Sequence, residues 1–202
     1  MRIALDGLPL QVRSAGIGVY TRELGAALAA HAAAPALRLF ACAGLPGPRA
    51  TALPWRRSPL YPLIMGAPLA GLARLLPLDA ALREVDLFHA TNYALPRSRR
   101  IPLVQTVHDL ALLRHPELGT PALRHLVGRV ASTWREARRV IADSEATARD
   151  LRELLGVPSS VLRVIHPGVA ARFRPLDAAA RAPVLARLGL DVPYVLHVGT
   201  LE

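Results

Sequence analysis

The feature that most constrains this chain is a repeated alternation: short apolar runs, each ending in a polar residue or glycine, are separated by stretches whose apolar residues recur at helical spacing. Arg2 to Asp6 reads as a first strand. Ile17, Tyr20, Leu24, Ala27, Leu28 and His31 then fall on one face of a helix, and Leu37 to Ala41 reads as a second strand. The opening is therefore βαβ. Further strands are expected at Asp86 to Ala90, Ile101 to Val107, Val140 to Ala142 and Val161 to Ile165. Strands alternating with helices imply right-handed crossovers and one parallel sheet.

The helix boundaries are marked by their own chemistry. Thr120-Pro121 is a cap followed by a first-turn proline, and Leu123, Leu126, Val127, Val130, Ala131, Trp134 and Ala137 form the stripe that lies on the sheet. Arg138-Arg139 falls at the expected end of that helix, where cations complement the dipole. Ser144 caps another helix with Glu145 in its first turn, and Gly156 with Pro158 ends it. An Ala-rich helix is expected from about Asp177 to Leu188. Between Gly44 and Pro68 a Pro/Gly-rich stretch interrupts the alternation, and Leu69 to Leu76 is expected to hold a short helix.

Tyr194 to Val198 reads as one more buried strand, with Gly199-Thr200 as the turn onto a helix, and the sequence ends at Glu202. A parallel strand in such a domain is covered on both faces. The expectation is thus one α/β domain over residues 1–190 and the first strand of a second over 191–202.

Composition bounds the function. The chain has 202 residues, 52% of them hydrophobic and only 4% aromatic, which supplies a core for a single globular domain. All 25 basic residues are Arg, as a high-GC coding bias yields, and against 15 acids they leave a net charge of +10. That charge predicts attraction to polyanions, whether phosphorylated ligands, anionic lipid or nucleic acid. Cys42 is the one cysteine, so an internal disulfide is excluded and a reducing, cytoplasmic setting is expected. Met1 to Asp6 reaches an acid with no signal-peptide core, and the apolar segment Ser58 to Ala73 is broken by Pro59, Pro62 and Pro68. That segment is too short and too interrupted for a span of about 20 residues. With Arg56-Arg57 before it, it resembles an interfacial patch that contacts anionic headgroups, against the plainer reading of an insertion packed on the sheet.

Doubly wound sheets bind ligands at the carboxyl ends of their strands. Five such ends are polar or glycine-bearing: Asp6-Gly7 with Gly16-Ile17-Gly18, His89-Ala90-Thr91-Asn92, His108-Asp109, Asp143-Ser144 and His166-Pro167-Gly168. Gly16 and Gly18 lie where a helix opens, and missing Cβ atoms let the backbone approach an anion or a sugar hydroxyl. No third glycine follows at the offset a dinucleotide turn needs, and the second strand ends Phe40-Ala41-Cys42 rather than in an acid, which argues against a nucleotide-dependent oxidoreductase. His108 should emerge from a central strand onto the rim, where an imidazole can bond a ligand hydroxyl or share a proton. Asp109 either orients that ring or satisfies a turn. No metal-ligand cluster stands at useful spacing.

Taken together, Ala15-Gly16-Ile17-Gly18-Val19-Tyr20-Thr21, Asp86 to Pro96, Thr106-Val107-His108-Asp109-Leu110, Ala142-Asp143-Ser144 and Val164 to Val169 resemble the N-terminal half of a retaining, family-four type GT-B glycosyltransferase. The subgroup most similar includes mannosyltransferases of cell-surface polysaccharide assembly. The resemblance implies a Rossmann-like acceptor-side domain, a nucleotide-sugar co-substrate, a glycan or lipid-linked acceptor, and neither metal nor other cofactor. It places His108 near the transferred sugar as the catalytic residue, with Gly16, Gly18, Asn92, Asp109 and Ser144 as substrate contacts. Val19 stands where such a loop often carries a basic residue. The basic donor-phosphate motif and the paired-Glu motif of the family would follow Glu202, so little turnover is expected from residues 1–202 alone. The other class compatible with the charge is a basic membrane- or polyanion-binding module without catalysis, with Arg56, Arg57, Arg97, Arg99 and Arg100 as its surface; nucleic acid is not expected as a partner.

Overall fold

A computed structural model of the chain describes residues 1–12, 16–65 and 76–197. The chain divides into two compact units, Met1–Pro167 and Gly168–Glu202.

The first unit is built on a seven-stranded, all-parallel sheet. Its strands are β1 (Arg2–Asp6), β2 (Ala36–Cys42), β3 (Trp55–Ser58), β4 (Leu87–Ala90), β5 (Leu103–Val107), β6 (Arg139–Ala142) and β7 (Leu162–Val164). They lie in the order β3-β2-β1-β4-β5-β6-β7. The chain moves outward from β1 to β3, then returns to the other side of β1 with β4. The point where direction reverses therefore lies between β1 and β4, which pair with Leu5 opposite His89. An open parallel sheet leaves a crevice there, outside the carboxyl ends.

Side-chain alternation explains why both faces are covered. In β1, Ile3 and Leu5 enter one apolar cluster with Leu10, Leu37 and Leu39, while Ala4 enters the other with Phe40 and Phe88. Phe40 packs edge-on against Phe88 at 6.2 Å between centroids and tilted against Tyr61 at 5.2 Å. At the start of the sheet, the Arg2 guanidinium donates to Asp86 at 2.8 Å, bracing β1 against the turn that enters β4.

The helices of this unit are α1 (Leu8–Gln11), α2 (Gly16–Ala30), α3 (Tyr61–Met65), α4 (Ala111–Arg114), α5 (Pro121–Thr133) and α6 (Glu145–Leu155). Thr120 caps α5 by accepting from the Leu123 N–H, and Ser144 caps α6 by accepting from the Thr147 N–H at 3.1 Å. Helix α6 stops at Gly156, whose φ of 66° is the left-handed conformation glycine adopts at no steric cost.

Four expectations change. Helix α5 ends at Thr133, Trp134–Glu136 tightens into a 3₁₀ turn, and Arg139 is already the first residue of β6, so the Arg138-Arg139 pair does not sit on a helix end. The Gly44 to Pro68 stretch contains the edge strand β3, whose exposed Trp55, Arg56 and Arg57 show no apolar alternation. Helix α1 stands directly after β1, so the first helix is not the one that Gly16 opens. Tyr194 to His197 pairs with no strand; Val195 is fully exposed, and with no ladder partner an isolated segment has nothing to hold it extended. Val198 and the short helix expected at Leu69 to Leu76 fall wholly or largely outside the described residues.

The second unit carries α7 (Ala178–Leu188), capped by Asp177, which accepts from the Ala180 N–H at 2.8 Å, and ended by Gly189 at φ 64°. Among the described residues no helix is long and apolar enough to cross a membrane.

Candidate functional site

Three strand ends, those of β4, β5 and β6, and two helices, α2 and α6, converge around His108, the first residue beyond β5. Its Nδ1 lies 3.2 Å from Asp143 Oδ2, just beyond β6, and its Nε2 lies 3.1 Å from the Thr91 carbonyl, just beyond β4. Both partners are acceptors, so only the doubly protonated ring donates to both, and the neutral ring must leave one unmet. The side chains of His108 and Asp143 are 14% and 18% exposed, at the rim rather than in the core. From above, Tyr20 of α2 sets its ring edge-on to the imidazole at 4.9 Å between centroids. Below, the Thr147 hydroxyl of α6 donates to the His108 carbonyl at 2.8 Å. The ring is held on both nitrogens, one face and its own backbone.

A second layer fixes the holders. Tyr20 Oη and Thr106 Oγ1 are 3.1 Å apart, and Thr106 Oγ1 is 2.8 Å from His89 Nε2. Burial pushes His89 down to about 4, with the charge of His108 adding to the effect, so this ring is neutral. The hydroxyls of Thr21 and Thr91 meet at 2.7 Å, joining α2 to the end of β4. His166 brings its Nδ1 to the Asp143 carbonyl at 3.1 Å.

The residues expected from the sequence fall out as follows. His108 occupies the rim. Asp109 does not touch the imidazole: it accepts from the Ala111 N–H at 3.1 Å, turning the chain into α4, and from the Tyr93 hydroxyl at 3.1 Å. The ring-orienting carboxylate is Asp143 instead. Asn92 accepts from the Tyr93 N–H at 2.7 Å, and no described residue bonds its Nδ2, which leaves two donors at the rim. Ser144 uses its hydroxyl as the α6 cap. Gly16 opens α2 with no atom within 4 Å of where a Cβ would stand, so nothing in the described chain demands glycine there; Gly18, one half-turn on, is buried. Tyr20, Thr21 and Thr106 were absent from the expected set. All three lie within the runs Ala15 to Thr21 and Thr106 to Leu110 that carry the resemblance, but the runs do not say which hydroxyls meet across the sheet.

Residues 14–173 match the family described as Glycosyltransferase Family 4. The chain belongs to glycosyltransferase family 4. It is 30% identical over 155 residues to D-inositol 3-phosphate glycosyltransferase 1 of Catenulispora acidiphila, a match covering 70% of this chain and 35% of that protein. It is 36% identical over 109 residues to D-inositol 3-phosphate glycosyltransferase of Streptomyces bingchenggensis, covering 51% and 24%. The match therefore spans about a third or less of these relatives' own length. Among solved structures, Anabaena HepE in complex with UDP-glucose superposes with a TM-score of 0.54 at 19% identity, over 94% of this chain and 50% of HepE. That likeness shows the fold: the seven-stranded sheet is the Rossmann-like α/β layer of a GT-B N-terminal domain.

The site holds an imidazole fixed by one carboxylate, Asp143, and one backbone carbonyl, that of Thr91. Among the described residues no group of three or more His, Cys, Asp or Glu side chains gathers as a metal site.

Proposed function

We propose that this chain is the N-terminal, acceptor-side part of a retaining glycosyltransferase that transfers a hexose, mannose in the first instance, from a nucleotide-sugar to a glycan or lipid-linked acceptor. Residues 1–190 form the acceptor-side domain in this reading, and 191–202 begin the donor-binding one. The observation that carries the proposal is His108, clamped between Asp143 and the Thr91 carbonyl at the carboxyl end of a central strand in a family-four domain.

Both ring nitrogens of His108 are engaged, which favours positioning over attack. When a sugar enters the rim, Nε2–H can move from the Thr91 carbonyl to a sugar hydroxyl while Asp143 keeps the ring's angle. Asn92 donates, and Asp109 and Ser144 retain acceptor lone pairs beyond their turn and cap bonds. The backbone at Gly16 and Gly18 approaches the donor phosphates or the acceptor. Transfer proceeds without metal or other cofactor. The names of the relatives place an inositol phosphate, and the HepE complex a UDP-sugar, beside a mannose nucleotide in the panel to be tested.

The protein is assigned to the cytoplasm, peripheral at the inner face of the plasma membrane, on the support of the exposed Trp55, Arg56 and Arg57 of edge strand β3. Arg57 stacks over the Trp55 ring at 4.7 Å, an arrangement suited to an anionic interface.

The test is transfer by the longest continuous reading frame that contains residues 1–202, with the anomeric configuration of the product read by NMR. His108→Ala should lower kcat by about a hundredfold or more, within the range for a positioned acid–base or hydrogen-bonding group. Undiminished transfer with intact folding overturns the role of His108, and inverted product overturns retention.

A further inference from the structure

On the flank of α2 turned away from His108 lies a separate cavity of about 220 Å³. Along a helix, Gly18, Val19 and Arg22 share one side, while Tyr20 and Thr21, which reach the His108 cluster, face the other. The cavity is walled by Pro9 and Leu10 of α1, by Gly18 and Arg22 of α2, and by Arg49 and Ala50 of the segment between β2 and β3.

We propose that this cavity binds a phosphate-type anion carried on a small organic group or a lipid headgroup. Among the described residues the lining includes two arginines, Arg22 and Arg49, and no Asp or Glu. Arg22 is paired with Glu23 at 3.2 Å, a partly exposed ion pair of the kind that contributes little and exchanges readily for a stronger anion. Among the described residues Arg49 makes no ion pair. Guanidinium forks match phosphate oxygens in pairs, and the first turn of α2, a 15-residue helix, adds its N-terminal field.

The cavity is also built rather than incidental. Gln11, 3% exposed, donates through Nε2 to the Cys42 and Pro46 carbonyls at 2.9 and 2.8 Å and accepts from the Cys42 N–H at 2.7 Å, tying α1 to the far wall. The Arg49 N–H donates to the Leu10 carbonyl at 2.9 Å, which fixes that arginine's backbone at the mouth. Ala50 sits at φ 51°, a left-handed conformation that a non-glycine residue keeps only when its surroundings impose it. The apolar remainder, Pro9, Leu10 and Val19, suits the face of a sugar or a glycerol next to the phosphate. This site shares no side chain with the His108 cluster; the Gly18 backbone alone is common to it and to the transfer reading, so Arg22 and Arg49 test it separately from that reading.

The experiment is a titration of the ¹⁵N-labelled chain with sodium phosphate at constant ionic strength, followed at the Gly18, Val19 and Ala50 amides. Saturable shifts confined to these residues are expected, weakened about tenfold by Arg22→Gln and by Arg49→Gln, each a lost charge-assisted contact. Both variants keep the remaining amide shifts if they fold, which separates loss of the site from loss of the protein. A second arm measures co-sedimentation with phosphatidylglycerol and with phosphatidylcholine vesicles. Arg22- and Arg49-dependent depletion by the former assigns the anion to a lipid headgroup; phosphate binding without depletion assigns it to a free phosphomonoester. Shifts that do not saturate, that centre on His108 and Asp143, or that persist in both variants overturn the proposal.

Discussion

Asp6 ends β1 fully enclosed, with one carboxylate oxygen bonded by the Tyr61 hydroxyl at 2.6 Å and the Leu8 N–H at 3.0 Å, and the other without a partner. Burial outweighs those bonds and lifts its pKa to about 6 from 3.8. Between about pH 4 and 6 the folded state therefore keeps a proton that the unfolded chain has released, and stability falls as pH rises, by about 3 kcal/mol for the whole shift. His89 acts oppositely. Its folded value of about 4 lies below 6.5, so across pH 4 to 6.5 the unfolded chain binds the extra proton and stability rises by a similar amount. In the wild type the two largely offset. Asp6→Asn should uncover His89, giving urea midpoints that climb from pH 4 to 6.5, whereas His89→Gln should leave midpoints that fall. Parallel pH profiles for wild type and Asp6→Asn would show that Asp6 ionises near its ordinary value despite burial.

The elements whose ends carry a chemical marker were legible in the sequence, and those without one were not. Ser144, Gly156, Thr120 and Asp177 all do what their residue types suggest at helix ends. Ser144→Ala and Gly156→Ala should each cost α6 about 1 kcal/mol, one by orphaning the Thr147 N–H and the other by forcing a Cβ into the left-handed region. Urea unfolding with an unchanged m-value would register both. Edge strand β3 escaped detection because only Ser58 of Trp55–Ser58 is buried, and a strand paired on one side needs no apolar alternation. Its exposed cations give an element-scale prediction: flotation with phosphatidylglycerol liposomes should fall several-fold in the Arg56→Gln, Arg57→Gln pair, since each basic residue near an anionic surface contributes about 1 kcal/mol. Equal flotation would leave β3 an ordinary sheet edge.

At the scale of the molecule, the sequence names residues at strand ends but not which ends meet. Tyr20 and Thr106 lie 86 positions apart and touch only because β1 and β5 are both neighbours of β4 in the sheet, an order that strand patterns alone do not specify. His108 was legible because it follows its strand directly, and Ser144 because a serine before Glu145 marks a helix start; Asp143 follows β6 directly, yet its bond to His108 depends on β5 and β6 being adjacent. The same architecture bears on donor binding. In the proposed two-domain reading the His108 rim is one wall of a cleft, and its groups remain in contact with water, where hydrogen bonds and ion pairs exchange at little net gain. Residues 1–202 should accordingly bind a nucleotide-sugar no tighter than about millimolar, worth about 4 kcal/mol, with no detectable turnover. Calorimetric titration with UDP-glucose and a mannose nucleotide checks this directly. Micromolar affinity would move the donor site into this domain, with the backbone at Gly16 and Gly18 as its seat.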